Sequence, residues 1–131
     1  MGEIYPVGIV GESNYQRAIG RAREGDSVGI FRELNNPYSN SGLAVRVDNS
    51  HGETIGYIAN DHWLKDAINN QKKGCDARIL GIEGSPMGVV LEVQLTDEEA
   101  PTIEFGKKST PAKTEPSSIA SIARNLLSRL S

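Results

Sequence analysis

A chain of 131 residues with 37% hydrophobic and 24% charged residues has room for one globular domain of about 100 residues and a short appendage. Residues 1–100 carry 9 Lys+Arg against 15 Asp+Glu, and residues 101–131 carry 5 against 2. An acidic body of this kind argues against a broad electrostatic grip on a phosphate backbone and leaves room only for a local patch. No apolar run approaches the roughly 18 residues of a membrane span. The N-terminus lacks the basic start and apolar stretch of a signal peptide, and the single Cys75 has no disulfide partner in the chain, so a cytoplasmic location is expected.

Residues 4–10 (IYPVGIV) read as a first strand, with Pro6 confining it to an edge or a strand start. Ser13-Asn14-Tyr15-Gln16 has the form of a capping box, followed by Tyr15, Ala18, Ile19 and Ala22 at helical spacing, with Gly25 as a stop. A strand over 27–34 runs into the turn cluster Asn35-Asn36-Pro37-Tyr38-Ser39-Asn40-Ser41-Gly42. In 43–48, Leu43, Val45 and Val47 alternate with Ala44, Arg46 and Asp48, the pattern of a half-buried strand. A turn at 49–52 leads to a returning arm at 53–58. Asn60 or Asp61 is placed to cap a second helix over about 61–70, with Leu64, Ala67 and Ile68 on its inner face. Residues 75–83 and 88–95 form a further hairpin, with Val89, Leu91, Val93 and Leu95 alternating in its second arm.

Six short strands and two short helices make a mainly β (α+β) fold. A small, partly closed barrel follows, because closure removes the edges that short sheets expose. The barrel domain spans 1–97. Pro101, Pro111 and Pro116 among Lys, Ser and Thr mark 98–116 as a flexible linker. In 117–131, Ile119, Ile122, Ala123, Leu126, Leu127 and Leu130 fall on one stripe of a short amphipathic helix, the expected surface for a protein partner or self-association.

Signals for catalysis are thin. His51 sits in a turn and His62 at a helix start, and neither belongs to a metal-ligand spacing. Cys75 follows Gly74 at a strand start and reads as a small buried hydrophobe. No nucleophile elbow, phosphate-cradling loop or paired-carboxylate signature is present. The expectation is a module without catalytic residues, metal or cofactor.

The informative stretch is Arg32-Glu33-Leu34-Asn35-Asn36-Pro37-Tyr38-Ser39-Asn40-Ser41-Gly42-Leu43-Ala44-Val45, followed by Ile55-Gly56-Tyr57-Ile58. With the upstream Val10-Gly11-Glu12-Ser13-Asn14-Tyr15-Gln16, it resembles the HIRAN domain over about residues 4–95. The resemblance implies an OB/SH3-like barrel without catalysis. In the DNA-binding members, such a barrel holds the 3′-terminal nucleotides of single-stranded DNA. Aromatic rings stacking on bases, with short polar groups meeting phosphate and hydroxyl, make physical sense of that role.

Carried over residue by residue, Asn36, Pro37 and Tyr38 match the family loop, with Tyr38 as stacking or pocket-wall residue. Leu34, Ser39 and Ser41 replace the family's Pro, Asp and Asn, and the missing Asp takes away a group that recognises the terminal hydroxyl. Tyr15, Arg32, Asn36, Tyr38 and Ser39 are the expected binding surface, with Arg17 and Lys65 as phosphate contacts. The alternative is a protein-interaction module using the same groove or the C-terminal helix.

Overall fold

The computed structural model describes residues 3–39 and 41–109. The expected helix at 117–131, with its partner or self-association surface, and residues 110–116 of the expected linker lie outside the described residues.

Strand β1 spans Ile4–Gly8, and a single 3₁₀ turn over Glu12–Asn14 leads to helix α1, Gln16–Gly20. The following elements are β2 (Ser27–Leu34), β3 (Leu43–Asp48), β4 (Thr54–Tyr57), helix α2 (Trp63–Asn69), β5 (Gly74–Glu83), β6 (Gly88–Thr96) and β7 (Thr102–Glu104). The strands hydrogen-bond in the order β1-β6-β5-β2-β3-β4. Just beyond β1, Val10 exchanges two backbone hydrogen bonds with Tyr57 of β4, at 2.8 and 2.9 Å. That bridge joins the first strand to the last and closes the sheet into a small barrel, as the count of short strands anticipated.

The interior is aliphatic. Val89, Leu91 and Val93 of β6 are buried, while Val90 between them is 39% exposed, the alternation of a strand with one face inward. They meet Val7, Ile30, Val45, Val47, Ile55 and Ile79, with Ile19 of α1 and Leu64 and Ile68 of α2 plugging the barrel. Each such side chain contributes roughly 1.5–3 kcal/mol of burial. Strand β5 pairs β6 along its length through a register shift between Ile79 and Gly81, and such a bulge bends a long strand around a barrel.

Three local expectations differ from the structure. Ser13 and Gln16 form no capping box, since α1 starts without a side-chain cap. Gln16 instead reaches across the chain, donating to the Met87 carbonyl at 2.9 Å and accepting from the Met87 amide at 2.7 Å. Helix α2 is capped by neither Asn60 nor Asp61 but by His62, whose Nδ1 accepts from the Leu64 amide at 3.0 Å. The first part of the expected linker is folded. Ala100 is buried, and β7 lies parallel to β2, pairing Arg32 with Thr102 and Leu34 with Glu104. The sheet therefore has seven strands where the sequence announced six.

Candidate nucleic-acid interface

The turn cluster after β2 is built by its own polar side chains. Asn35 adopts φ 61°, a left-handed conformation that Asn tolerates better than most residues. Asn36 Oδ1 accepts from the Tyr38 amide at 2.7 Å, an Asx turn that fixes the backbone of Tyr38. Ser39 Oγ donates to the Leu43 carbonyl at 2.9 Å, and the Asn36 amide to the Gly42 carbonyl at 3.0 Å. The loop is thereby pinned at both ends.

Below it lies a buried ionic network. Glu33, Arg46 and Asp48 are 1%, 2% and 1% exposed. Arg46 grips Asp48 with Nε and Nη2, each at 2.9 Å, and Glu33 with Nη1 at 2.9 Å. Glu33 Oε1 also accepts from Asn36 Nδ2 and from the Tyr57 hydroxyl, both at 2.8 Å. Asp48 accepts from the Thr54 and Ser109 hydroxyls. Burial by itself depresses the Arg46 pKa, but the bonds to Asp48 and Glu33 outweigh it and leave the pKa raised. Burial, then the bond to Glu33, pushes the Tyr57 phenol well above its ordinary value. It therefore stays a neutral donor.

Above this network opens a groove of about 640 Å³ lined by Tyr15, Asn36, Tyr38, Ser39, Tyr57 and Phe105, together with Val10, Gly11, Asn14 and Asn60. Tyr15 and Tyr57 lie with ring centroids 6.3 Å apart. Tyr38 is 86% exposed. No lining residue is charged. Such a surface offers stacking faces and amide hydrogen-bonding groups rather than a cationic track.

Of the seven residues expected from the sequence, the structure brings four into this groove: Tyr15, Asn36, Tyr38 and Ser39. Asn36 is 6% exposed, and its side chain serves the loop and Glu33. Lys65 stands next to the groove, its Nζ donating to Asn60 Oδ1 at 2.6 Å. Arg32 does not line the groove. Its guanidinium pairs with Glu99 at 2.9 Å, and its amide donates to the Pro101 carbonyl. Arg17 is exposed on α1, also outside the groove lining. Arg21, four residues further along, is paired, its guanidinium gripping Glu53 with two nitrogens. Trp63, 44% exposed, packs edge-on against Tyr5 away from the groove lining.

Sequence reasoning missed Phe105, which meets Tyr38 edge to face at 6.2 Å, because its segment was read as linker. It also missed the buried partnership of Arg46 with Glu33 and Asp48, whose signal was a charged triplet on neighbouring strands flanking the turn cluster. Among the described residues no group of His, Cys, Asp and Glu is arranged to hold a metal ion, and no helix is long and apolar enough to cross a membrane.

The family model of the HIRAN domain matches residues 6–95, most of the described barrel. No curated protein and no solved structure matches the chain. The chain belongs to the HIRAN domain family, a family of DNA-binding modules.

Proposed function

We propose that this HIRAN-family barrel binds single-stranded DNA, strand ends included, in the groove between the Asn36–Ser39 loop and Tyr57, and that it does no chemistry on its ligand. The observation that carries this reading is Tyr38: its backbone is fixed by Asn36 while its ring is 86% exposed at the mouth of an uncharged, aromatic groove. Bases on a single strand have free faces, and each base stacked on an aromatic ring is worth roughly 1–3 kcal/mol. No lining residue is a carboxylate, histidine or cysteine, so the commonest general bases and metal ligands are absent from the groove beside Ser39.

Ser39 already donates its proton to Leu43, so toward a 3′-hydroxyl it offers only an acceptor. One neutral hydrogen bond is worth about 0.5–1.5 kcal/mol, which limits preference for a 3′-hydroxyl over a 3′-phosphate to about 2–12-fold.

Fluorescence anisotropy with a labelled oligothymidine tests the proposal. Tyr38→Ala should weaken binding by about 5–150-fold, the equivalent of one stacked base. Lys65, held beside Asn60, supplies about one phosphate contact. The logarithm of affinity should therefore fall with the logarithm of salt at a slope of about −0.7. Absence of binding at low salt overturns the reading. The uncharged lining also suits an uncharged peptide. That second reading takes over if the chain ignores oligonucleotides and Tyr38→Ala abolishes capture of an extended peptide ligand.

A further inference from the structure

Phe105 lies ten residues beyond the stretch that the HIRAN family model matches, yet it lines the groove. Its placement is not that of a loose tail. The Arg32 amide donates to the Pro101 carbonyl at 2.9 Å, and β7 runs parallel to β2. The Phe105 amide then donates to the Leu34 carbonyl at 3.0 Å. Two side-chain links brace the same segment: Asn35 Nδ2 donates to Glu104 Oε2 at 2.8 Å, and Arg32 pairs with Glu99. A turn at Gly106, φ 86°, is closed by the Lys107 amide on the Glu104 carbonyl.

The ring so anchored is 40% exposed, and its ring partner is Tyr38, itself 86% exposed. Their centroids are 6.2 Å apart with planes at 66°. Two rings meeting edge to face in this way make a corner and leave aromatic surface for a third ring. An apolar ring held in water at the mouth of a groove adds nothing to the barrel core, and covering it is favourable. The corner carries no charge, so what it selects is a flat, uncharged heteroaromatic ring. Paired, stacked bases of a duplex have both faces occupied, whereas a single strand can present one.

We infer that Phe105 is a second base-contacting residue of the groove, and that Tyr38 and Phe105 together hold one nucleobase, one ring against its face and the other against its edge. This rests on the single-strand reading above and adds to it a residue from outside the family-matched barrel. Nucleobase binding by the barrel alone is therefore incomplete without the segment that follows it.

The experiment uses the full chain and four variants with an oligothymidine probe. Phe105→Ala should weaken binding by about 5–150-fold, comparable to Tyr38→Ala, and Phe105→Trp should retain it. A fourth variant, Trp63→Phe combined with Phe105→Trp, leaves one indole in the chain, at the corner. Its fluorescence should be quenched on saturation with oligonucleotide, a readout independent of how well Phe105→Ala folds. Phe105→Ala binding within about twofold of the parent, while Tyr38→Ala binds poorly, overturns the inference and leaves the groove reading standing. Unquenched fluorescence at saturation also overturns it. A parent chain that binds no oligonucleotide overturns both.

Discussion

Replacing Arg46 with Met tests whether the loop stands on the ionic network. Arg46 is 2% exposed and makes three hydrogen bonds of 2.9 Å to two carboxylates that are each 1% exposed. Its guanidinium also lies 5.9 Å from the Phe31 ring centroid. Arg46→Met keeps much of the side-chain volume but leaves Glu33 and Asp48 buried without a counter-charge, supported only by the neutral donors of Asn36, Tyr57, Thr54 and Ser109. Removing one partner of a buried ion pair costs about 3–5 kcal/mol, a large share of the about 5–15 kcal/mol that holds a domain together. At about 4–8 °C per kcal/mol for a domain of about 100 residues, the melting midpoint should fall by about 12–40 °C. Differential scanning calorimetry or urea titration measures it. The triple variant Glu33→Gln, Arg46→Met, Asp48→Asn removes the charges together and should recover at least half of the loss, because the cost lies in the unpaired charges rather than in the missing bonds. A loss under about 1 kcal/mol for Arg46→Met, or a triple variant no better than the single, would refute this account of the network.

Two further outcomes follow from the geometry. A Cβ at Gly56 would sit 2.8 Å from both the Val10 carbonyl oxygen and Ile9 Cδ1. Gly56→Ala should therefore part the barrel seam at a cost of about 1–3 kcal/mol. Amide exchange at Val10 and Tyr57 should speed up, and unchanged exchange there would contradict the seam. The Glu53 carboxyl is held down at about 2, from an ordinary 4.5, by the bond from Arg21 and then that from Asn49. A depressed carboxylate contributes stability that is full above the ordinary value and lost as pH falls through the depressed one. The melting midpoint of Glu53→Gln should thus lie below that of the parent at pH 6, with the gap closing between pH 4.5 and pH 2. A constant gap across that range would show that the pairing adds nothing.

The strands were legible because their signal is local. Alternation in 88–95 and the turn residues around 35–42 and 49–52 depend on neighbours in sequence. The faces of β3 were only half legible. Alternation in Leu43–Asp48 predicts polar residues in water, yet every residue from Ala44 to Asp48 is buried, because Arg46 and Asp48 find their partners in Glu33, Thr54 and Ser109. Strand β7 left no trace. Three residues between Pro101 and a Gly turn have no periodicity, and their parallel pairing with a strand some seventy residues earlier is a purely non-local fact. The site divided along the same line. Tyr15, Asn36, Tyr38 and Ser39 sit in motifs that the sequence displays, whereas Phe105 reaches the groove only through β7. Arg32 opens the same motif but pairs with Glu99, and the adjacent Glu33 is the residue that the loop rests on.

Asn36 and Tyr38, which the sequence presents as one motif, do opposite things. All the contacts that Asn36 makes with its side chain are spent inside the protein, on the Tyr38 amide and on Glu33. Tyr38 spends only its backbone. Its ring is left out in solvent, in contact with Phe105 alone among the rings of the described residues. The buried charges explain why this arrangement holds. Glu33 ties the Asn36 amide, the Tyr57 hydroxyl and the Arg46 guanidinium to one carboxylate, so the loop and the opposite groove wall share an anchor and cannot drift apart independently. Ordering a loop at the moment of binding costs roughly 0.5–1.5 kcal/mol for each immobilised side chain. Here the backbone part of that ordering is completed on folding. An acidic body with few free cations near the groove cannot compensate for a floppy site with long-range attraction. On the proposed reading the backbone that carries the Tyr38 ring is set before binding, and the Glu33–Asn36–Tyr38 chain of hydrogen bonds sets it.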